Sequence, residues 1–172
     1  MNLNADDLQI YPYILHYKSK DMYLLWQTTD EGDYFLKDDN NKIYLFNNEK
    51  DVETYIENYG GSLDWEEAGE LDLELFFKCI KEIDPGVSTS EEENSILIDG
   101  WNFLEDFYTT LESDARSLLF SEILNKVYNK IYYGNNLPSV TPDNCMYEPI
   151  WTDIEVRKMH RVFDQILTRA HK

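Results

Sequence analysis

The chain has 172 residues, 42% of them hydrophobic and 15% aromatic, with a formal net charge of −19. This length and apolar content suit one sizeable core in a single domain, and so many rings exclude a disordered acidic chain. The charge is uneven: Met1 to Asp114 hold 28 acids against 7 lysines, a net of −21, while Ala115 to Lys172 hold 6 acids against 8 bases, a net of +2.

A field of that size costs the folded state self-repulsion, which points to a use such as steering toward a basic partner. Direct nucleic-acid binding is disfavoured, because phosphate recognition needs clustered Lys and Arg. No apolar run approaches the roughly 20 residues of a membrane span. The first residues, Met1 to Asp7, have neither the basic start nor the apolar core of a secretory signal. A cytoplasmic protein is therefore expected. Cys79 and Cys145 fit small buried hydrophobes in a reducing compartment, with a bridge between them as the alternative.

In chain order, Tyr13–Tyr17, Met22–Thr28, Asp33–Lys37 and Ile43–Asn47 are short runs of aromatic and β-branched residues separated by turn-forming stretches. They predict a four-stranded antiparallel β-meander. The period then changes to 3.6: Val52, Tyr55, Ile56 and Tyr59 share one helical face, Asn48 suits the N-cap, and Gly60-Gly61 suits a left-handed end. Ser62 to Asp72 reads as an acidic connector. From Leu71, the positions Leu75, Phe76, Cys79, Ile80 and Ile83 form a second helical stripe that stops at Asp84-Pro85-Gly86.

Val87 to Asn94 reads as a loop with Glu91, Glu92 and Glu93 at its tip. Ile96–Ile98 fits a short strand or a buried turn into a helix over Trp101 to Leu111. Asp114 suits the N-cap of a long helix through Leu118, Leu119, Ile123, Val127 and Ile131, ending at Gly134. The proline-bearing stretch from Asn135 to Pro149 predicts an irregular crossing. Thr152 and Glu155 then form a capping box for a last helix with Ile154, Met159, Val162, Phe163, Ile166 and Leu167 on one side. The expected fold class is α+β: the meander followed by about five α-helices packed as one domain, residues 1–172. Within it, 1–60 form the meander and first helix, 61–114 the acidic middle segment, and 115–172 the C-terminal helices.

Catalytic signatures are absent. His16 sits in a strand, and Glu155 and His160 are five apart and do not share a helical face as metal ligands would. Structural or surface histidines are the expectation for both. Neither cysteine has a redox or nucleophile spacing, and no phosphate loop or nucleophile elbow occurs. Carboxylate pairs such as Glu66 with Glu70, or Glu105 with Asp106, fit a glycosidase-like acid and base, but a chain with 34 acids makes such pairs by chance. Asp30, Asp33, Asp38 and Asp39 offer oxygen ligands for calcium, yet turn formation accounts for them without an ion and their spacing is not that of an EF-hand. The expectation is no enzyme, no metal and no cofactor.

What remains is acid interleaved with aromatic rings. Residues 64–114 hold 16 acids and 2 bases. Asp64, Trp65, Glu66, Glu67, Glu70 and Asp72, then Glu91, Glu92 and Glu93, then Trp101 with Glu105 and Asp106, suit a docking face in which a Trp anchor is ringed by carboxylates. The competing reading makes the Trp residues core and the acids solvated surface.

Met22–Thr28 with Asp33–Lys37, the capped helix after Asn48 and the acidic stretch from Asp64 together resemble the immunity proteins of bacterial toxin systems, including those of contact-dependent growth inhibition. The resemblance stops short of Ala115. It implies a stoichiometric inhibitor that binds a cognate toxin domain, commonly a basic nuclease, and blocks its active site or substrate channel. Carboxylates would then stand where nucleic-acid phosphates go. An acidic nucleic-acid mimic or adaptor for another basic protein, and an enzyme with an unrecognised carboxylate site, are the alternatives.

Overall fold

The computed structural model describes residues 9–30, 32–58, 61–112, 114–139, 141 and 145–170. They form an α+β fold: a four-stranded mixed sheet and five α-helices. The strands are β1 (Gln9–Tyr17), β2 (Lys20–Thr29), β3 (Gly32–Phe35) and β4 (Gly69–Asp72). The helices are α1 (Glu49–Glu57), α2 (Leu73–Glu82), α3 (Glu91–Thr110), α4 (Glu122–Gly134) and α5 (Asp153–Ala170). None of the described helices is long and apolar enough to cross a membrane. The chain divides into two compact units, Met1–Glu74 with Asp106–Ser113, and Leu75–Glu105 with Asp114–Lys172, so that α3 contributes to both.

In the first unit β1 and β2 pair antiparallel from Gln9–Thr28 to Tyr17–Lys20. The turn residues Lys18 and Ser19 both have positive φ, 52° and 56°, the backbone of a two-residue turn whose twist matches the strands. The sheet order is β3-β2-β1-β4. Alternation sends Leu15, Leu24, Phe35 and Leu71 to one face and Ile14 and Leu25 to the other. Leu24 and Leu25 are both fully buried, so both faces are covered. Val52 and Ile56 of α1 pack with Leu25. On the other face Phe35 meets Phe107 edge-on, ring centroids 6.4 Å apart, and its N–H donates to Thr110 Oγ1 at 2.8 Å. A sheet covered on both sides needs apolar residues at consecutive positions, which explains the aromatic richness of these runs.

The fourth strand is not the expected one. Residues 43–47 make single bridges only, Ile43 to Lys37 and Phe46 to Tyr23. Tyr44 and Phe46 instead turn their rings onto Tyr55 of α1, with centroids 4.9 and 5.5 Å away. The fourth strand is β4, parallel to β1 with Tyr13–Gly69 through His16–Asp72 in register, which makes the sheet mixed rather than an antiparallel meander. Gly69 is there because the Tyr13 ring lies across it: a Cβ at that position would come within 2.5 Å of the ring.

At α1 the Asn48 side chain accepts the Asp51 N–H, as expected of an N-cap. Gly61 N–H returns to the Ile56 carbonyl at 3.2 Å; Gly60 and Tyr59 lie outside the described residues. Leu71 belongs to β4, so the second helix starts at Leu73 rather than at Leu71.

The second unit is helical. Phe76 and Ile80 of α2, Leu97 and Trp101 of α3, Leu124, Val127 and Ile131 of α4, and Met159 and Phe163 of α5 are all buried. Phe163 is the hub, with centroids 5.4 Å from both Phe76 and Trp101. Helix α3 begins far earlier than expected. Ser90 and Glu93 form a reciprocal cap, with Ser90 N–H to the Glu93 carboxylate at 2.7 Å and Glu93 N–H to Ser90 Oγ at 3.2 Å. Ile96–Ile98 are therefore helical, neither strand nor turn.

Asp114 does not cap α4 either. It opens a short 3-10 segment, Asp114–Leu119, and Ser121 caps the helix by accepting the Leu124 N–H. The stretch after α4 is irregular where it is described, as expected, while Pro142 lies outside the described residues. The Thr152–Glu155 capping box forms, with Thr152 N–H to Glu155 at 2.8 Å. Ile154, however, is 61% exposed: it sits two residues before buried Val156, about 200° around the helix. Both cysteines are free; Cys79 is buried as expected, but Cys145 is exposed.

A buried amide network ties α3 to α4. Asn94 accepts from Thr89 Oγ1 at 2.8 Å and donates to the Gly134 carbonyl at 3.2 Å, and Asn135 donates to the Asn94 carbonyl at 3.3 Å. Gly134 is required because a Cβ would fall 2.5 Å from the Asn94 amide nitrogen.

Candidate functional site

The acidic and aromatic residues marked out by the sequence do not form one surface patch in one unit. Asp64, Trp65, Glu66, Glu67, Glu70, Asp72 and Asp106 belong to the first unit, and Glu91, Glu92, Glu93, Trp101 and Glu105 to the second.

In the first unit Asp64 caps the 3-10 turn Trp65–Glu67 by accepting the Glu66 N–H at 2.9 Å. That turn exposes Glu66 and Glu67 and leads into β4. Trp65 is half-buried against the Leu25–Val52–Ile56 cluster, edge-on to Tyr23 at 6.0 Å, and its indole N–H donates to Glu53 at 3.2 Å. It is partly a core residue. Glu70 and Asp72 are exposed on β4, one residue apart from each other on the same face of the sheet. Asp106 is engaged elsewhere: it accepts the Trp26 indole N–H at 3.2 Å.

The candidates of the second unit have structural duties. Trp101 is 2% exposed and lies among Tyr128 and Phe163, so it anchors the core and no partner. Glu91, Glu92 and Glu93 are the first turn of α3, not the tip of a loop, where carboxylates complement the positive end of the helix dipole. Glu105 pairs with Arg116 at 3.2 Å.

Charge follows the same division. The first unit holds 20 acids and 5 lysines, a net of −15, and the second 14 acids and 10 bases, a net of −4. The sheet-bearing unit thus carries most of the excess acid, with 8 of the 16 acids of residues 64–114 among its own.

The residue that the sequence pattern hid is His16. It shares a face with Asp21 across the β1–β2 ladder and with Asp72 across the β1–β4 ladder, and Glu70 lies one pair away on the same side. Its Nδ1 is 2.7 Å from an Asp21 oxygen and its Nε2 2.9 Å from a Glu70 oxygen. Hydrogen bonding to Asp21 raises its pKa above 6.5, with partial burial opposing and Glu70 adding to the effect. At the hairpin turn, Lys18 N–H donates to the Glu74 carboxylate at 3.1 Å. The alternation of Gly69-Glu70-Leu71-Asp72-Leu73-Glu74 puts the acids on one side of a short run, but it carries no signal of the β1 pairing that brings them to His16.

The other chemistry weighed from the sequence finds local explanations. Asp38 accepts the N–H groups of Asn40 and Lys42 at 2.8 and 2.9 Å, a turn of its own making. Those bonds, Lys42's first, hold its carboxyl below the usual range. Asp33 accepts from Thr28. Among the described residues no three His, Cys, Asp or Glu side chains group to hold a metal ion. The His160 ring places Nε2 2.9 Å from the Ile80 carbonyl, a structural contact. Burial pushes the Cys79 thiol up, away from the thiolate that nucleophilic chemistry needs. His171 lies outside the described residues.

The arrangement offers an acidic surface with a half-buried aromatic at its margin and no converging nucleophile, base and acid among the described residues. No family model matches the chain, and no curated protein matches it. Among solved structures it is similar to the C-terminal domain of SatS, crystallised in complex with bromine, at 15% identity and a TM-score of 0.50, over 93% of this chain and 91% of that one. At that identity the likeness concerns the fold alone.

Proposed function

We propose that the chain is a stoichiometric protein inhibitor, an immunity protein of the bacterial toxin-neutralising type, that acts in the cytoplasm by binding a basic nuclease toxin domain. The observation that carries this reading is the net charge of −15 on the sheet-bearing unit. Exposed Glu66, Glu67, Glu70 and Asp72 succeed one another there along a single turn and strand. Carboxylates placed in succession along a turn and strand can meet the Lys and Arg that a nuclease uses for phosphates, and long-range attraction speeds the encounter. Such a mechanism needs neither turnover nor a cofactor. Glu93, Trp101, Glu105 and Asp106 are left out of the binding surface because they cap, pack or pair within the fold, and exposed Glu91 and Glu92 because they lie in the weakly charged second unit.

The test is to read the gene beside the chain's own and, for a secreted protein with a basic C-terminal toxin domain there, to co-express that domain with the chain; a neighbourhood without one counts against the reading. The host survives, the purified pair forms a one-to-one complex, and the association rate drops steeply as salt is raised, since steering acts over distances beyond a Debye length of roughly 10 Å at 0.1 M. Reversing charge in Glu66→Lys with Glu67→Lys slows association at low salt while leaving the fold intact. Continued killing of the co-expressing host sinks the reading.

A further inference from the structure

We infer that His16 is a protonation-operated clamp: as the imidazolium it joins Asp21 of the hairpin to Glu70 of the edge strand, and when rising pH removes its second ring proton it loosens β4. The geometry carries this. Both ring nitrogens face a carboxylate oxygen, at 2.7 and 2.9 Å. A neutral imidazole has one N–H and an ionised carboxylate only accepts, so only the doubly protonated ring donates to both. The two carboxylates lie at opposite nitrogens of the ring, which also rules out their sharing one metal ion with it.

The surrounding charges reinforce the dependence. Asp72 is the register partner of His16 on β4. Tyr23, the next residue of that face on β2, has its phenol pushed up by burial, then by Glu49 of α1 and by Asp21. The hairpin lysines are turned elsewhere: Lys18 Nζ lies 4.8 Å from the centroid of the Tyr17 ring, and Lys20 pairs with Tyr17 on the opposite side of the sheet. His16 is thus the cation at the meeting point of Asp21, Glu70 and Asp72.

The strand it secures is short, four residues at the end of the sheet order. A histidine whose pKa folding raises contributes stability that is complete below its unfolded value near 6.5. That contribution is lost as pH climbs through the folded value. Deprotonation leaves carboxylates around an uncharged ring, and β4 is then held by its four-pair ladder to β1 and by buried Leu71. The clamp is independent of which partner the acidic surface takes.

A histidine NMR titration of the full chain, with His16 identified from its missing signals in His16→Gln, gives a midpoint above 6.5 that moves down in Glu70→Gln. Amide exchange over Glu70–Asp72, corrected for its intrinsic pH dependence, loses protection roughly two- to fivefold from about pH 6 to about pH 8.5, the scale of partly exposed ion pairs. His16→Gln shows no such step. If those amides exchange too fast to follow, the midpoint and its response to Glu70→Gln decide alone. A His16 midpoint at or below 6.5, or an equal loss of protection in His16→Gln, overturns the clamp.

Discussion

Glu155 shows how one carboxylate can serve a helix and the chain that precedes it. Its side chain is nearly buried, yet it takes the N–H and hydroxyl of Thr152 at 2.8 Å each and the Lys130 ammonium at 2.7 Å. Lys130 also donates to the Ile150 carbonyl at 2.8 Å and lies 5.6 Å from the Trp151 ring centroid, so the pair fixes the end of the irregular crossing onto α4. Burial alone would raise the Glu155 pKa, but Lys130 and the two Thr152 bonds outweigh it and hold the carboxyl below 4.5. A carboxyl depressed by folding contributes stability that is present above the unfolded pKa and is lost as pH falls through the folded one. Replacing Glu155→Gln removes the charge and leaves partly exposed Lys130 without its counter-ion, at a cost of about 1–3 kcal/mol near pH 7. Urea unfolding of both proteins between about pH 7 and pH 3 should show the gap narrowing only below about pH 4.5, the ordinary carboxyl value. A constant gap would assign the loss to packing rather than to charge.

At the level of elements, two capping boxes of the same form, Thr152 with Glu155 and Ser90 with Glu93, start the two longest helices. The first stands before a clear apolar stripe and is legible from the sequence. The second is obscured because Glu91, Glu92 and Glu93 read as a charged loop and Gly100 interrupts the helical pattern. The structure explains that glycine: a Cβ there would lie 2.1 Å from the Phe76 ring, so α2 and α3 approach through it. Helix propensity predicts that Gly100→Ala stabilises by about 1 kcal/mol. The packing predicts the reverse, a loss of about 1–3 kcal/mol from overpacking, and the packing should prevail because the Phe76 ring is fully buried and the clash reaches the base of the ring. Denaturant midpoints separate the two by sign, and Phe76→Leu in the same chain should recover part of the loss. Distance along the chain limits what the sheet reveals in a similar way. The β1–β2 hairpin is legible from its alternation and turn residues, and the Asn48 cap from its residue type. The parallel strand β4 is not, because its partner lies more than fifty residues earlier, and nothing in a four-residue run names a distant partner. His16 is unreadable for the same reason: its two carboxylates come from different strands, and only the register brings them to one ring.

For the whole molecule, charge is the dominant influence that no single contact reveals. A net −19, with −15 of it on one unit, repels itself at low ionic strength. The ion pairs that salt would weaken are mostly at the surface, such as Lys37–Glu112 at 3.6 Å and Lys126–Glu122 at 2.8 Å, and each is worth only about 0–1 kcal/mol. Repulsion summed over many exposed acids therefore outweighs them, and screening it should stabilise the isolated chain. Raising sodium chloride from about 10 to about 500 mM shortens the Debye length from about 30 Å to under about 8 Å. The melting temperature should rise by several degrees, since about 1 kcal/mol corresponds to roughly 2–4 °C at this size. Binding to a basic partner should respond in the opposite sense, weakening over the same range, because there the acids attract. Calorimetry of the free chain beside association kinetics of the complex reads both signs. A melting temperature that falls with salt would mean that the surface carboxylates are locally neutralised, and would remove the field on which partner steering depends.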